Sequence, residues 1–255
     1  MANTEIAKKT ETDLATKTPS ALEVAPDYIE SSREGLEDIT KDDLLTPRLG
    51  LAQALSPQVT EGDPAFVEGM KAGDLFNSQT GQNYGREVIF QVLRKDKLRG
   101  MEFYGIDDGG GVKDPNVPLD DSRLKWGNSG DKKADKPKAT LFRDYIVRII
   151  PSGEMIALSF KSSGIRVAKE LNNKMVLRVN KEGQPTAIFA GLYRLTTDTK
   201  LLPKPHKIYV VENYGWASAE DMKVGKQMSI SIKGLDMVAS IDREKSDIPG
   251  DDIPF

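Results

Sequence analysis

Cysteine is absent from the 255-residue chain, and histidine occurs once, at His206. The first absence excludes disulfide staples, thiolate metal sites, CxxC redox chemistry and cysteine nucleophiles. The second leaves any Ser-His-Asp arrangement dependent on His206 and rules out a two-histidine metal site within one chain. No apolar run reaches the roughly 18 residues of a membrane span. The opening MANTEIAKKTETD carries no signal-peptide core. These absences predict a soluble, cytoplasmic, non-enzymatic protein with no cofactor and no metal. The aspartate pairs Asp42/Asp43, Asp107/Asp108 and Asp120/Asp121 lie in polar sequence without a third ligand at recognisable spacing, so they read as solvated turns. Gly109–Gly111 lacks the lysine and serine or threonine that end a phosphate-binding loop, and reads as a hinge. His206 follows Leu-Leu-Pro-Lys-Pro and reads as a surface loop residue.

What the chain does have is charge, unevenly placed. It holds 36 Lys+Arg against 39 Asp+Glu, a formal net charge of −3. Residues 1–45 carry −6 and residues 242–255 carry −3, which leaves +6 for the body between them. A basic body between acidic ends is a hint of nucleic-acid contact with regulatory tails; solvated ends of no consequence are the competing reading.

Residues 1–33 are polar, hold Tyr28 as their one aromatic, and read as a disordered extension. Thr40–Asp43 looks like a helix start cut short by Pro47, and residues 48–55 read as extended. Residues 71–85 have the punctuation of a hairpin, with Thr80-Gly81 at its turn. Short runs rich in β-branched and aromatic residues follow at 86–94, 100–106, 141–150 and 154–161, the last two joined by a turn at 151–153. Residues 163–172 have helical spacing of Ile165, Val167, Ala168 and Leu171. Further strands are expected at 174–180, 186–196, 207–214 and 227–240, with a helical turn at 217–223. The fold class expected is mainly β: an antiparallel barrel with one or two short helices, because closure removes exposed edges. Residues 34–241 form its domain, and residues 107–139, with three prolines, seven acidic and seven basic residues, form a flexible insertion.

The most specific feature is Asp251-Asp252-Ile253-Pro254-Phe255, preceded by a spacer with Asp247-Ile248-Pro249-Gly250. It resembles the tail of bacterial and phage single-stranded-DNA-binding proteins. As a bait, Pro254 and Phe255 would fill an apolar pocket on a partner, and the aspartates would steer the tail to basic surfaces. The resemblance by motif covers these last residues. The long N-terminal extension and the large insertion look more like a bacteriophage member than a cellular one. The resemblance implies the oligonucleotide/oligosaccharide-binding barrel, sequence-tolerant coating of single-stranded DNA in replication, recombination and repair, and recruitment of partner proteins through residues 242–255.

Single-strand binding needs a positive groove and exposed rings on which bases stack. Twelve of the 17 aromatics lie between residues 86 and 216, interleaved with basic residues. In the insertion, the candidates are Trp126 with Arg123, Lys125, Lys132 and Lys133, and Tyr104 just before it. On the strands they are Arg143 and Tyr145, which share a face by period-two alternation, and Tyr193 with Arg194. Tyr214 and Trp216 flank Gly215. For the strand rings, core packing is the competing role; Trp126 has no core pattern around it. The rival functions are a β-rich virion or structural interaction protein with an acidic docking tail, and a carboxylate-metal nuclease or hydrolase. Oligomeric state stays open at this level.

Overall fold

The structure, a computed structural model, describes residues 46–105, 110–131, 134–201 and 205–233. The N-terminal extension, the Thr40–Asp43 helix start and residues 242–255 lie outside the described residues.

Five strands build the main core. They are β4 (Glu87–Lys95), β7 (Ala139–Ile150), β8 (Met155–Lys161), β9 (Gly191–Lys200) and β10 (His206–Trp216). Alternate residues point inward: Val88, Phe90 and Val92 from β4, Tyr145, Val147 and Ile149 from β7, and Ile156, Leu158 and Phe160 from β8. Tyr193 and Leu195 from β9 and Val211 from β10 complete the set. Helix α1 (Ile165–Val176) closes one end with Ala168 and Leu171, spaced so that they share a face. Each large side chain fully enclosed here contributes about 1.5–3 kcal/mol of burial.

With β5 (Arg99–Phe103) and β6 (Val112–Val117), all strand pairs of this sheet are antiparallel, in the order β10-β9-β4-β7-β5-β6, with β8 on the free edge of β7. The chain is therefore mainly β, as expected. Among the described residues the ladder does not close, because β8 and β10 do not pair. The gap between them is filled by β1 (Leu49–Leu51), which with β2 (Leu75–Asn77) and β3 (Asn83–Gly85) forms a small second sheet. On one side the Ala157 amide donates to the Pro47 carbonyl (2.8 Å). On the other, the Gln53 side chain pairs with both backbone groups of Lys207 (2.8 and 3.0 Å). The small sheet is stapled to the β7–β8 turn by buried Glu154, whose carboxylate accepts from the Asn77 amide and the Tyr84 hydroxyl. Burial and the Glu154 carboxylate push the Tyr84 hydroxyl well above its ordinary pKa.

The outer face of the sheet is covered by α2 (Ala219–Ser231). Residues 227–231 of the expected strand 227–240 are helical instead. Met-Ser-Ile-Ser-Ile alternates with period two, but the inward residues are Asp221, Gly225, Met228 and Ile232, at spacings of four, three and four. Ser218 caps the helix by accepting the Asp221 amide (3.0 Å), with Glu220 and Asp221 in the first turn. Val224, Met228 and Ile232 pack on Leu93, Ile146, Met155 and Ala157. Gly225 is required here: a Cβ would sit 2.6 Å from the Gln91 side chain. The expected strand at 174–180 is also replaced, by the last turn of α1 and a single bridge from Val179 to Pro185.

The insertion is ordered in part. β5 (Arg99–Phe103) pairs with the first half of β7, and β6 (Val112–Val117) pairs with β5, inside the stretch expected to lack structure. The arm is anchored where Phe103 and Phe142 meet at 6.0 Å and Arg99 lies over the Phe142 ring at 4.8 Å. Charge pairing, which strand propensity does not register, holds it: Glu102 accepts from Lys113 and Arg123, both at 2.7 Å.

Candidate nucleic-acid interface

The end of β10 carries two half-exposed rings, each with an arginine against it. The register shifts between Asn213 and Gly215, and on this irregular stretch Tyr214 and Trp216 both reach solvent, 53% and 56% exposed. Arg194, on β9 beside Glu212, sits 5.4 Å from the Tyr214 ring centroid. Its Nε is 3.5 Å from Glu87 Oε1 and its Nη1 is 4.0 Å from Glu212 Oε2, loose pairs that aim the guanidinium without enclosing it. Arg178 lies between two rings, 4.7 Å from Trp216 and 5.0 Å from Tyr193. Its Nη2 donates to the Leu192 carbonyl at 3.2 Å. Gly191 permits this approach, since a Cβ there would lie 2.7 Å from Arg178 Nε. Beside the stack, Glu170, Asn173, Lys174, Leu177, Arg178 and Asn213 line an open pocket of about 350 Å³. Exposed rings held by guanidinium groups, next to a polar pocket, are suited to stacking planar bases with a cation nearby.

The other expected residues divide sharply. Tyr104 at the end of β5 is 48% exposed, and Trp126, after a 3-10 turn at Ser122–Leu124, is 52% exposed. Lys125 is exposed beside it. Tyr145 and Tyr193, read as stacking candidates, are instead core residues, 0% and 1% exposed. Tyr145 meets the Phe160 ring edge-on at 5.9 Å and donates its hydroxyl to Asn172 Oδ1 (2.9 Å). Burial pushes the Tyr145 hydroxyl up to about 12 and raises that of Tyr193 as well. Packing encloses both on the inner face of the sheet, and no base can reach them. The Arg123 guanidinium is paired with Asp121 (2.8 Å), Glu102 (2.7 Å) and Asp114 (2.9 Å), which offset its charge. The hydrogen bonds from Lys113 and Arg123 hold the Glu102 carboxyl below its usual range, and those from Arg123 do the same for Asp121. Arg143 is half-buried, with Nη1 3.4 Å from the Asp96 carbonyl. Lys132, Lys133 and Asp251–Phe255 lie outside the described residues. His206 begins β10 opposite Lys200 and is partly buried, not a loop residue.

Arg178 was not among the candidates. Its stretch reads as a strand, and its place between Tyr193 and Trp216 depends on α1 ending beside β9 and β10, which no local signal announces. Among the described residues no group of three His, Asp or Glu side chains is placed to hold a metal, and no helix is long and apolar enough to cross a membrane.

Fold and site together define an antiparallel β protein whose outermost strand ends in arginine-backed rings. The chain belongs to the Pam3 phage gp34-like protein family, which it matches over residues 15–237. The expectation of a phage protein holds at that level. No curated protein and no solved structure matches it.

Proposed function

We propose that the chain binds single-stranded DNA without strong sequence preference, coats strands exposed during phage replication or recombination, and recruits partners through Asp251–Phe255. The observation that carries this reading is the pair of rings at the end of β10, Tyr214 and Trp216, each against an arginine and open to solvent. A stacked base contributes about 1–3 kcal/mol and is accepted whatever its identity, because every base has a π face. Three further observations support it. Five strands, β8-β7-β4-β9-β10, wrap one core with a helix at its end and one seam left open, in keeping with a partly open five-stranded barrel. The exposed Tyr104 and Trp126 extend the supply of rings on the β5–β6 arm. The body is net basic between acidic ends.

The test uses the chain's two tryptophans one at a time. Trp216 remains in a Trp126→Phe variant, and Trp126 in a Trp216→Phe variant; each is titrated with an oligo-dT strand. Quenching of Trp216 emission on saturation is the expected result. Unchanged emission from both tryptophans, with no binding by a second method, would overturn the reading.

A further inference from the structure

We propose that the sheet face beneath α2 is itself a nucleic-acid-binding surface and that α2 is its displaceable cover; this rests on the single-strand-binding reading above. A helix laid on a sheet usually meets apolar side chains, yet α2 sits over a row of hydrogen-bond donors. Gln91 is fully buried, and it lies directly opposite Arg148 in the β4–β7 register. Arg94 follows on the same strand, three residues or about 10 Å further along. The helix supplies an acceptor to each, beside those that two of them keep outside it: Asp96 for Arg94 (2.8 Å) and the Phe189 carbonyl for Gln91 Nε2 (2.7 Å). The Asp221 carboxylate takes Arg148 Nη1 at 2.8 Å, the Asp221 carbonyl takes Gln91 Nε2 at 3.0 Å, and the Ile232 carbonyl takes Arg94 Nη1 at 2.7 Å. A carboxylate and two carbonyls, spread over eleven residues or about 17 Å of helix, thus present to the sheet what phosphate and base oxygens of a strand would present. Between these donors lie Leu93 and Ile146, flat apolar ground for bases.

Position points the same way. Arg194 and Gln91 occupy neighbouring rows of the outer face, since β4 pairs Ile89 with Arg194 and Gln91 with Leu192. The Tyr214–Arg194 pair therefore stands at the edge of the ground that α2 covers. A strand held at Tyr214 and continuing over the sheet toward β7 meets α2 and must move it. On the sheet side α2 is held by Val224, Met228 and Ile232, by the Arg148–Asp221 ion pair, by the Ser229 hydroxyl on the Leu93 carbonyl (2.8 Å) and by the backbone acceptors above, while the larger core lies on the opposite face. Asp251–Phe255, proposed above to recruit partners, follow α2 along the chain, so strand binding and recruitment would be coupled.

The absence of cysteine allows a clean test on the full chain. A Gln91→Cys, Gly225→Cys pair places two thiols where a Cβ at 225 already meets the Gln91 side chain, and oxidation locks α2 to β4 in one and the same protein. Oligo-dT affinity is measured for the oxidised and reduced forms, and separately for Asp221→Asn, which withdraws the carboxylate from Arg148. The expected results are about tenfold tighter binding by the reduced form than by the oxidised form, and about fivefold tighter binding by Asp221→Asn than by the unaltered chain. Equal affinity of the two redox forms overturns the cover while leaving single-strand binding intact. Should the cysteine pair fail to fold, unchanged or weaker binding by Asp221→Asn overturns the cover on its own. No binding by the unaltered chain or by any variant overturns the cover and the single-strand-binding reading together.

Discussion

Replacing Trp216 with alanine should separate binding from folding. The ring is 56% exposed and lies against the Arg178 guanidinium at 4.7 Å. Losing an exposed cation–π contact costs about 0.5–1 kcal/mol. For a chain of this size such a loss lowers the midpoint of thermal unfolding by about 1–4 °C. If a base stacks on the ring, the same substitution removes about 1–3 kcal/mol from binding, which is about a 5- to 150-fold loss in affinity. Fluorescence anisotropy with a labelled oligo-dT, run beside a thermal melt of the same sample, reads both quantities. Trp216→Phe keeps a π face and should recover most of the affinity. Affinity within twofold of the unaltered chain, whatever the shift in the melt, would refute the assignment of Trp216 as a stacking platform.

The buried rings should behave in the opposite way. Tyr145→Phe leaves the Asn172 side chain and the Ala168 carbonyl without the hydroxyl they accept from. Its expected cost is about 1 kcal/mol in denaturant unfolding, with oligo-dT affinity unchanged; a selective affinity loss would contradict its placement in the core. Asp221 makes a pH prediction. Burial raises its pKa, but the hydrogen bonds from Ser218 and the Arg148 guanidinium outweigh that and hold it below its ordinary value. A depressed carboxylate stabilises the fold above its unfolded value of about 3.9, and the contribution is lost as pH falls through the lower folded value. The stability difference between the unaltered chain and Asp221→Asn should therefore be full at pH 6 and vanish on acidification toward pH 2. A difference constant across that range would contradict the Arg148–Asp221 pairing.

Much of the fold was legible because its main strands announce themselves. The runs at 86–94, 141–150 and 154–161 are short, β-branched and bounded by turns, and β4, β7 and β8 lie where they predict. The two errors in helix placement share a cause. Met-Val-Leu-Arg-Val at 175–179 and Met-Ser-Ile-Ser-Ile at 228–232 both suit a pleated surface, and neither segment reveals that its residues will pack on a sheet already complete. At the candidate site the sequence pointed to Tyr214 and Trp216 and also to Tyr145 and Tyr193, since all four are rings on strands near arginines. Period-two alternation says which residues share a face but not which face is inside; packing decided that, enclosing Tyr145 and Tyr193. The pairing of Arg123 with three carboxylates was hidden for a related reason. Asp121, two residues before it, is as near in sequence as Lys125, two residues after, and the fold adds Glu102 and Asp114.

The central claim is tested most directly by titrating the full chain with a single strand and with a duplex of equal length, each at 50 and at 200 mM salt. Preference for the single strand, weakening steeply as salt rises because bound phosphates release counterions, is the predicted result. Equal binding of strand and duplex, or no binding of either at the lower salt, would contradict it.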